Sequence, residues 1–297
     1  TRAGAAAGDR VLTMSSWRGR ADDRAILRLA LLRRPRLAGM RIARFTTGDD
    51  PMYGIVQEKD GRDMVYGITG DPLYTEIRPT GTIVPLEDVR LLAPVIPRSK
   101  VVCVGKNYAA HVAEMGGEAP EQALFFLKPN TSVIGPGDPV MLPTYSQEVS
   151  LEAELAVVIK RMARDLAPEQ VAEHVLGYTC ANDLTARDAQ REESQWFRAK
   201  AFDTSCPVGP WIETDLDPAA LAISSTVDGE TAQDGTTADM LRSVADLVAE
   251  ISGVVTLLPG DLVLTGTPAG VRTVPAGATV DISIEGIGTL SNPIVRR

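Results

Sequence analysis

Nine residues near the middle of the chain, Leu151-Glu152-Ala153-Glu154-Leu155-Ala156-Val157-Val158-Ile159, constrain the fold more than any other stretch. On a strand, residues two apart project to the same face. Glu152, Glu154, Ala156 and Val158 therefore share one face, and Leu151, Ala153, Leu155, Val157 and Ile159 share the other. Both faces are apolar along most of their length, as expected of a strand inside a sheet covered on both sides. The run also carries two carboxylates towards that interior. At a separation of about 4 Å they repel by about 4 kcal/mol at an effective dielectric of about 20, and a cation between them removes the conflict. Taken alone, the pair is also explained by two solvated glutamates at a strand start.

The chain has 297 residues, 44% of them hydrophobic and 23% charged, enough to bury a large core. Its apolar runs fall far short of the roughly 20 residues that span a bilayer, so no membrane segment is expected. Cys103, Cys180 and Cys206 are odd in number and widely spaced, which suits neither a disulfide framework nor a structural zinc site. Reduced thiols in a cytoplasmic protein are expected. A formal charge of -9 argues against nucleic acid as a partner and favours a small molecule. Residues 1–39 run against this trend, with nine Arg, no Lys and three Asp, a formal +6. They read as an N-terminal extension upstream of a natural start at Met40, with Asp23 to Leu37 as a candidate amphipathic helix; a transit peptide fits less well, since such peptides avoid acidic residues.

From Met40 the pattern changes to short β-type runs, Arg41 to Phe45, Tyr53 to Gln57 and Met64 to Ile68, separated by turn clusters. They predict a small β-rich module over residues 40–98. Ala93-Pro94-Val95-Ile96-Pro97 forms the linker, because its prolines disfavour helix and ladder bonds. A larger catalytic domain then spans residues 99–297. Strands are expected at Lys100 to Val104, Ala123 to Leu127, Leu151 to Ile159, Gly177 to Ala181, Leu221 to Val227, Asp261 to Leu264 and Thr279 to Ile284. The clearest helix is predicted from about Ala238 to Ser252, where Leu241, Val244, Leu247, Val248 and Ile251 make one apolar stripe. Short strands with few helices and no regular βαβ alternation give an α+β class with a mixed β core.

A second cluster, Asn182-Asp183-Leu184-Thr185-Ala186-Arg187-Asp188-Ala189-Gln190, follows the Gly177 to Ala181 strand. A helix beginning at Thr185 would place Arg187 and Gln190 on one face, ready for an anionic or carbonyl ligand, whereas a plain helix start would use Asp183 as its N-cap. Three hard oxygen donors, Glu152, Glu154 and Asp183, with no histidine or thiolate grouped with them, favour magnesium or manganese over zinc. Upstream, His111 and Glu114 are three apart in Lys106-Asn107-Tyr108-Ala109-Ala110-His111-Val112-Ala113-Glu114 and share a helical face. Such a pair is usually a surface feature, yet a carboxylate-oriented imidazole also suits general-base work near neutrality. Gly116-Gly117 and Pro120 beyond it read as a flexible lid. His174, in a polar helix from Pro168 to Val175, reads as a surface residue, and the lid and the residues near Tyr108, Phe125 and Trp196 as the groups that set substrate choice.

Four blocks resemble, in order, the signature of the fumarylacetoacetate hydrolase family: Glu152 to Ile159, Asn182 to Asp188, Lys200-Ala201-Phe202-Asp203-Thr204-Ser205-Cys206-Pro207-Val208-Gly209-Pro210, and Thr265-Gly266-Thr267-Pro268-Ala269-Gly270-Val271. The resemblance covers approximately Lys100 to Arg296. It implies a mixed β-roll with few helices, assembled as a homodimer, with Glu152, Glu154 and Asp183 as ligands to Mg2+ or Mn2+. Lys200 would balance charge, Arg187 and Gln190 would face the substrate, and Thr267 would help hold its carboxylate. The same resemblance makes His111 and Glu114 a catalytic dyad and brings Lys128 to the reacting centre, whereas a lysine at a strand end is otherwise usually solvated. Cys206 has no base partner and reads as packing.

The implied chemistry is magnesium-dependent hydrolysis of a carbon-carbon bond in an acylpyruvate-type 2,4-dioxo acid, through a metal-bound enolate. The same kind of site serves a 2-hydroxyhepta-2,4-diene-1,7-dioate or 5-carboxymethyl-2-hydroxymuconate isomerase or decarboxylase of aromatic catabolism, or an oxaloacetate decarboxylase. The substrate would be a small 2-oxo or 2-hydroxydienoate acid; fumarylacetoacetate itself is not expected. A non-catalytic carboxylate-binding scaffold is the alternative of a different kind, although a scaffold has no need of clustered ionisable groups.

Overall fold

The computed structural model describes residues 39–48 and 50–296. The expected extension, with its candidate helix at Asp23 to Leu37, lies outside the described residues apart from Gly39. The chain opens with β1 (Arg41–Thr46), β2 (Met52–Lys59), β3 (Arg62–Ile68), β4 (Pro79–Pro85) and β5 (Arg90–Leu92). Then come β6 (Val101–Gly105), α1 (Ala109–Glu114), β7 (Leu124–Lys128), β8 (Val133–Ile134), β9 (Val140–Leu142), β10 (Val149–Ser150), β11 (Ala153–Ile159), β12 (Val175–Asn182) and β13 (Thr185–Ala186). The remainder comprises α2 (Arg187–Glu192), α3 (Phe197–Lys200), β14 (Cys206–Glu213), β15 (Ala222–Val227), β16 (Glu230–Thr236), α4 (Val244–Val254), β17 (Leu262–Leu264), β18 (Thr279–Ile284) and β19 (Gly288–Arg296).

The main sheet has the order β4-β3-β2-β1-β14-β12-β11-β17-β6-β7, and a second sheet has the order β16-β15-β18-β19-β9. Most pairings are antiparallel, but β17 runs parallel to β6 and β19 parallel to β9. This is the expected α+β architecture: strand-rich, mixed in direction and sparing with helices. The N-terminal strands form a meander whose sheet is continuous with the main one, because β1 pairs with β14 as well as with β2.

β11 explains why the two sheets stack. All of its residues are buried. Ala153, Leu155, Val157 and Ile159 enter the larger core, packing with Ile223 of β15, Val280 and Ile282 of β18, and Leu247, Val248 and Ile251 of α4. Ala156 and Val158 enter a separate core with Ile42, Ile55, Val101 and Leu264. Each fully buried aliphatic side chain contributes about 1.5–3 kcal/mol, so the period-2 pattern fixes the register of β11 on both sides at once.

The helix expected from Ala238 to Ser252 begins later, at Val244. Ser243 is its N-cap, with Oγ accepting from the Asp246 N–H at 3.2 Å. Leu241 lies before the cap and is exposed, because its backbone N–H is taken by the Asn107 carbonyl at 2.7 Å and Arg242 N–H by Asn107 Oδ1 at 3.0 Å. α2 begins at Arg187 rather than Thr185, since Thr185 and Ala186 pair with β10. Its N-cap is Ala186, so Asp183 is free of capping duty.

Candidate active site

β11 and β12 are antiparallel neighbours, with Ala153 opposite Asn182 and Glu154 opposite Ala181. Asp183 follows directly at the end of β12, so the register brings it beside both glutamates. Backbone and side-chain bonds lock the junction: Asp183 N–H donates to the Glu152 carbonyl at 2.9 Å, and Glu152 N–H donates to Asn182 Oδ1 at 3.0 Å. Glu152, Glu154 and Asp183 are 4%, 1% and 0% exposed, so the solvated-glutamate explanation fails. Each offers a carboxylate oxygen, and the three lie within 4.8 Å of one another.

Three cations surround these three acids. Lys200 Nζ bridges Glu152 Oε2 at 2.6 Å and Asp183 Oδ2 at 2.7 Å. Arg187 Nη2 donates to Glu152 Oε1 at 2.5 Å, and Nη1 donates to Gln190 Oε1 at 3.0 Å; these two residues thus share a face as expected. Lys128 is not a solvated strand-end lysine. Its ammonium, 1% exposed, donates to the Lys200 carbonyl, to the Ser205 carbonyl and Oγ at 3.0 Å each, and to the Leu184 carbonyl at 3.3 Å. It also stands 2.8 Å from Asp183 Oδ1, which accepts no well-directed hydrogen bond.

Glu154 is the exception in this balance. Its direct partner is the Gly266 N–H, which donates to Oε2 at 2.7 Å. Gly266 has φ +94°, and a Cβ there would meet Asn107 Cβ at 2.8 Å, so only glycine lets that N–H reach the carboxylate. Burial, then the charges of Asp183 and Glu152, push the Glu154 carboxyl well above its usual range. Burial would also raise Glu152, but Lys200, Arg187 and His111 outweigh it and hold that carboxyl well below the usual range. Lys200 is held above its ordinary value, since Asp183 and Glu152 overcome the cost of burying it.

The donor set fits a small hard cation. Three buried carboxylates converge, Asp183 Oδ1 has unused acceptor capacity, and the Lys200 ammonium bridges two of the carboxylates as a cation stand-in.

α1 brings His111 to the same side. The ring is buried, Nδ1 lies 3.2 Å from Glu114 Oε2, and Glu114 Oε1 accepts the Gly270 N–H at 3.0 Å. Glu114 therefore ties α1 to the turn after β17. Tyr108, just before α1, is buried with no hydrogen-bond partner for its hydroxyl, and after burial itself the Glu154 charge is the next cause pushing that hydroxyl's pKa up. Thr267 is buried, and its hydroxyl donates to the Ala153 carbonyl at 2.8 Å and accepts from Gln233 Nε2 at 2.7 Å.

In the region of Phe125 it is Phe126 that faces the site: Lys200 Nζ lies 4.9 Å from its ring centroid, and Phe126 meets Trp196 edge to face at 5.6 Å. Strand parity is the reason, since Phe126 shares a face of β7 with Lys128 while Phe125 turns to the larger core. His174 is half-buried rather than a surface residue, with Nδ1 buried and lacking a hydrogen bond; the carbonyl of its own residue accepts from Lys160 N–H at 2.7 Å.

Several residues of the site carry no signal in the sequence. Gln233 is fully buried; its Oε1 accepts from Ala153 N–H at 2.9 Å and Ser225 Oγ at 3.0 Å, and its Nε2 donates to Thr267 and to the Pro268 carbonyl. Asn182, Ser205 and Asn107 are buried braces of the same kind.

Known proteins share this fold and much of its sequence. The model for the fumarylacetoacetate (FAA) hydrolase C-terminal family matches residues 100–295, and the Rv2993c-like N-terminal model matches residues 40–94. The chain belongs to the fumarylacetoacetate hydrolase family. It is similar to the crystal structure of 2-hydroxyhepta-2,4-diene-1,7-dioate isomerase from Mycobacterium marinum, with TM-score 0.80 and 46% identity, covering 87% of this chain and 99% of that one. It is 42% identical over 225 residues to the human mitochondrial oxaloacetate tautomerase, covering 72% of each protein. Fumarylpyruvate hydrolase from Pseudomonas aeruginosa, solved in complex with Mn2+ and pyruvate, gives TM-score 0.65 at 37% identity, covering 70% of this chain and 92% of that one. Members of the family are enzymes, and among the described residues no helix is long and apolar enough to cross a membrane.

Proposed function

We propose that this chain is a divalent-metal-dependent enzyme that moves a proton at the carbon next to the 2-oxo group of a small oxo acid, interconverting its keto and enol or dienol forms. One observation carries this: Glu152, Glu154 and Asp183 converge, buried, with Lys200 bridging two of them. Mg2+ or Mn2+ suits three carboxylate oxygens, and such an ion supplies Lewis-acid polarisation of the 2-oxo group.

The protein's own residues do the rest. Arg187, oriented by Gln190, presents a planar cation beside the carboxylates for the acid head of the substrate. Lys128 fixes the turn carrying Lys200 and Ser205 and steadies Asp183. Glu114 holds His111 through Nδ1, which leaves Nε2 to take and return a proton. Lid closure over the site, held by Glu114 on Gly270, excludes water from the exchanged position.

Isomerisation ranks ahead of hydrolysis because the Mycobacterium marinum relative, named an isomerase, spans both modules of this chain, whereas the similarity to fumarylpyruvate hydrolase covers 70% of it. Hydrolysis of an acylpyruvate is the second reading. It is favoured by the His111 and Glu114 pair, which suits activation of water.

The deciding measurement follows oxaloacetate, a 2-hydroxydienedioate and an acylpyruvate side by side, by ultraviolet absorbance and by deuterium exchange at the carbon next to the 2-oxo group. Keto-enol interconversion with Mg2+, abolished by EDTA, is the expected result. Turnover indifferent to chelation would remove the metal, and cleavage of the acylpyruvate without faster exchange in the other acids would reverse the ranking.

A further inference from the structure

Lys106 joins β6 to the lid helix α1 and has φ +60°. Five non-glycine residues share a positive φ among the described residues. Asp60, Asp165 and Asp228 lie in turns or bends, where aspartate tolerates this conformation, and Thr204 uses its hydroxyl to accept the Met141 N–H at 2.8 Å. Lys106 also lies in a bend, but its side chain has neither the short polar group of aspartate nor the hydroxyl bond of Thr204. Its conformation is imposed by its neighbour Asn107, clamped by bonds to Thr265, Leu241 and Arg242. Strain of this kind persists where the surroundings over-determine it, and it concentrates at functional sites.

The side chain is half-buried, and a Cβ placed on Gly117 would lie 3.2 Å from its Nζ. The ammonium therefore sits under the diglycine turn of the lid. It has no hydrogen-bond or ion-pair partner among the described residues. Of the cations deeper in the site, Lys200 is committed to carboxylates and Lys128 to carbonyls, and Arg187, bonded to Glu152, is assigned to the acid head of the substrate. A lysine removed in part from water without an anion beside it is poorly satisfied, and an anionic ligand entering beneath the lid would supply what is missing. The loop is also close to the reacting centre, since Gly266, which binds Glu154, packs directly on Asn107.

We propose that Lys106 recognises a second carboxylate, at the far end of the substrate, so that the site prefers short 2-oxo dicarboxylates and their 2-hydroxydienoate forms over monoacids. This rests on the 2-oxo acid reading above, in which the metal and Arg187 take the head of the same molecule. The charge-assisted bond would close as the lid orders, making Lys106 a specificity residue.

The test is calorimetric titration of the full chain, saturated with Mg2+, with 2-oxoglutarate and with 2-oxopentanoate, which lacks the distal carboxylate. Lys106→Met is expected to weaken 2-oxoglutarate binding by about tenfold to a hundredfold and leave 2-oxopentanoate unchanged, while Lys106→Arg keeps most of the preference. Lys106→Gly adds a control for folding: glycine relieves the positive φ, so it should melt no lower than wild type and still lose the preference. Wild type without a preference, Lys106→Met or Lys106→Gly retaining one, or an equal loss for both acids would overturn the assignment while leaving the metal site standing. Failure of wild type to bind either acid with Mg2+ would instead sink the 2-oxo acid reading, and the Lys106 assignment with it.

Discussion

Lys200→Met tests the charge balance of the carboxylate cluster directly. The ammonium makes two buried bonds to anions, at 2.6 and 2.7 Å, and bonds to charged groups contribute about 1.5–3 kcal/mol each. Breaking a buried pair by removing one partner costs about 3–5 kcal/mol, in agreement with that sum. Glu152 retains Arg187 and Asp183 retains Lys128, which favours the lower part of the range. At about 2 °C per kcal/mol for a chain of this length, the melting temperature in EDTA should fall by about 6–8 °C. A divalent ion replaces the missing charge, and ligand binding to the folded state alone stabilises it, so Mg2+ should raise the melting temperature of the variant more than that of wild type. Calorimetric melts of both proteins in EDTA and in saturating Mg2+ provide the four numbers required. A variant that melts within 1–2 °C of wild type in EDTA, or an identical gain from Mg2+ in both proteins, would refute the view that Lys200 stands in for the metal's charge.

Three other perturbations probe the supports around that cluster. Glu114→Gln keeps an acceptor for Gly270 but removes the charge beside His111; kcat should fall by about 10²-fold with little change in melting temperature, and an unchanged kcat would remove Glu114 from the dyad. Gln233→Leu strands the Ala153 N–H and the Ser225 O–H in the core, so urea unfolding should show a loss of about 2–4 kcal/mol together with weaker Mg2+ binding by titration. Burial pushes the Cys206 thiol from 9.0 up to about 12 and raises Cys103 and Cys180 as well, while the unfolded thiols titrate near about 8.5. Folded pKa values above the unfolded ones mean stability that is complete below that pH and declines as pH rises through it. The urea midpoint should therefore drop between pH 8 and 10, and native thiols should resist Ellman's reagent at pH 8 until urea is added.

What the sequence reveals about this protein depends on whether a residue's environment is local. The alternation in β11 is local, and it correctly places two carboxylates on one face and apolar residues on both. Asp183 is readable because it ends a buried strand. Gln233, Asn182 and Asn107 are not: a buried amide differs from a surface amide only in its distant partners, and Gln233 reaches across 80 positions to Ala153. β16 is missed for the same reason, its residues being polar. Lys128 is legible only through the resemblance, because the carbonyls that bury it come from residues 184–205. Leu241 fits the helical stripe, yet Asn107 captures its backbone and leaves the cap at Ser243 to decide where α4 starts. Thr267 is located correctly in its turn, but its hydroxyl bonds follow from Gln233.

The N-terminal meander bears on the site through the sheet it extends. β1 pairs with β14 at Arg41 opposite Glu213 and Ile42 opposite Ile212, and β14 pairs with β12 at Ala181 opposite Val208. Ala181 in turn faces Glu154 across β11 and lies two residues before Asp183. One continuous ladder thus leads from the meander to two of the three acids. Met40, Ile42, Ile55 and Ile68 from the meander also complete the core that receives Ala156 and Val158, on the carboxylate face of β11. At about 1.5–3 kcal/mol each, those four side chains are worth about 6–12 kcal/mol, comparable to the whole stability of an ordinary domain at about 5–15 kcal/mol. The register that gathers the carboxylates is therefore held from both faces of β11, and one of those faces is completed by Met40, Ile42, Ile55 and Ile68 rather than by residues 100–295 alone.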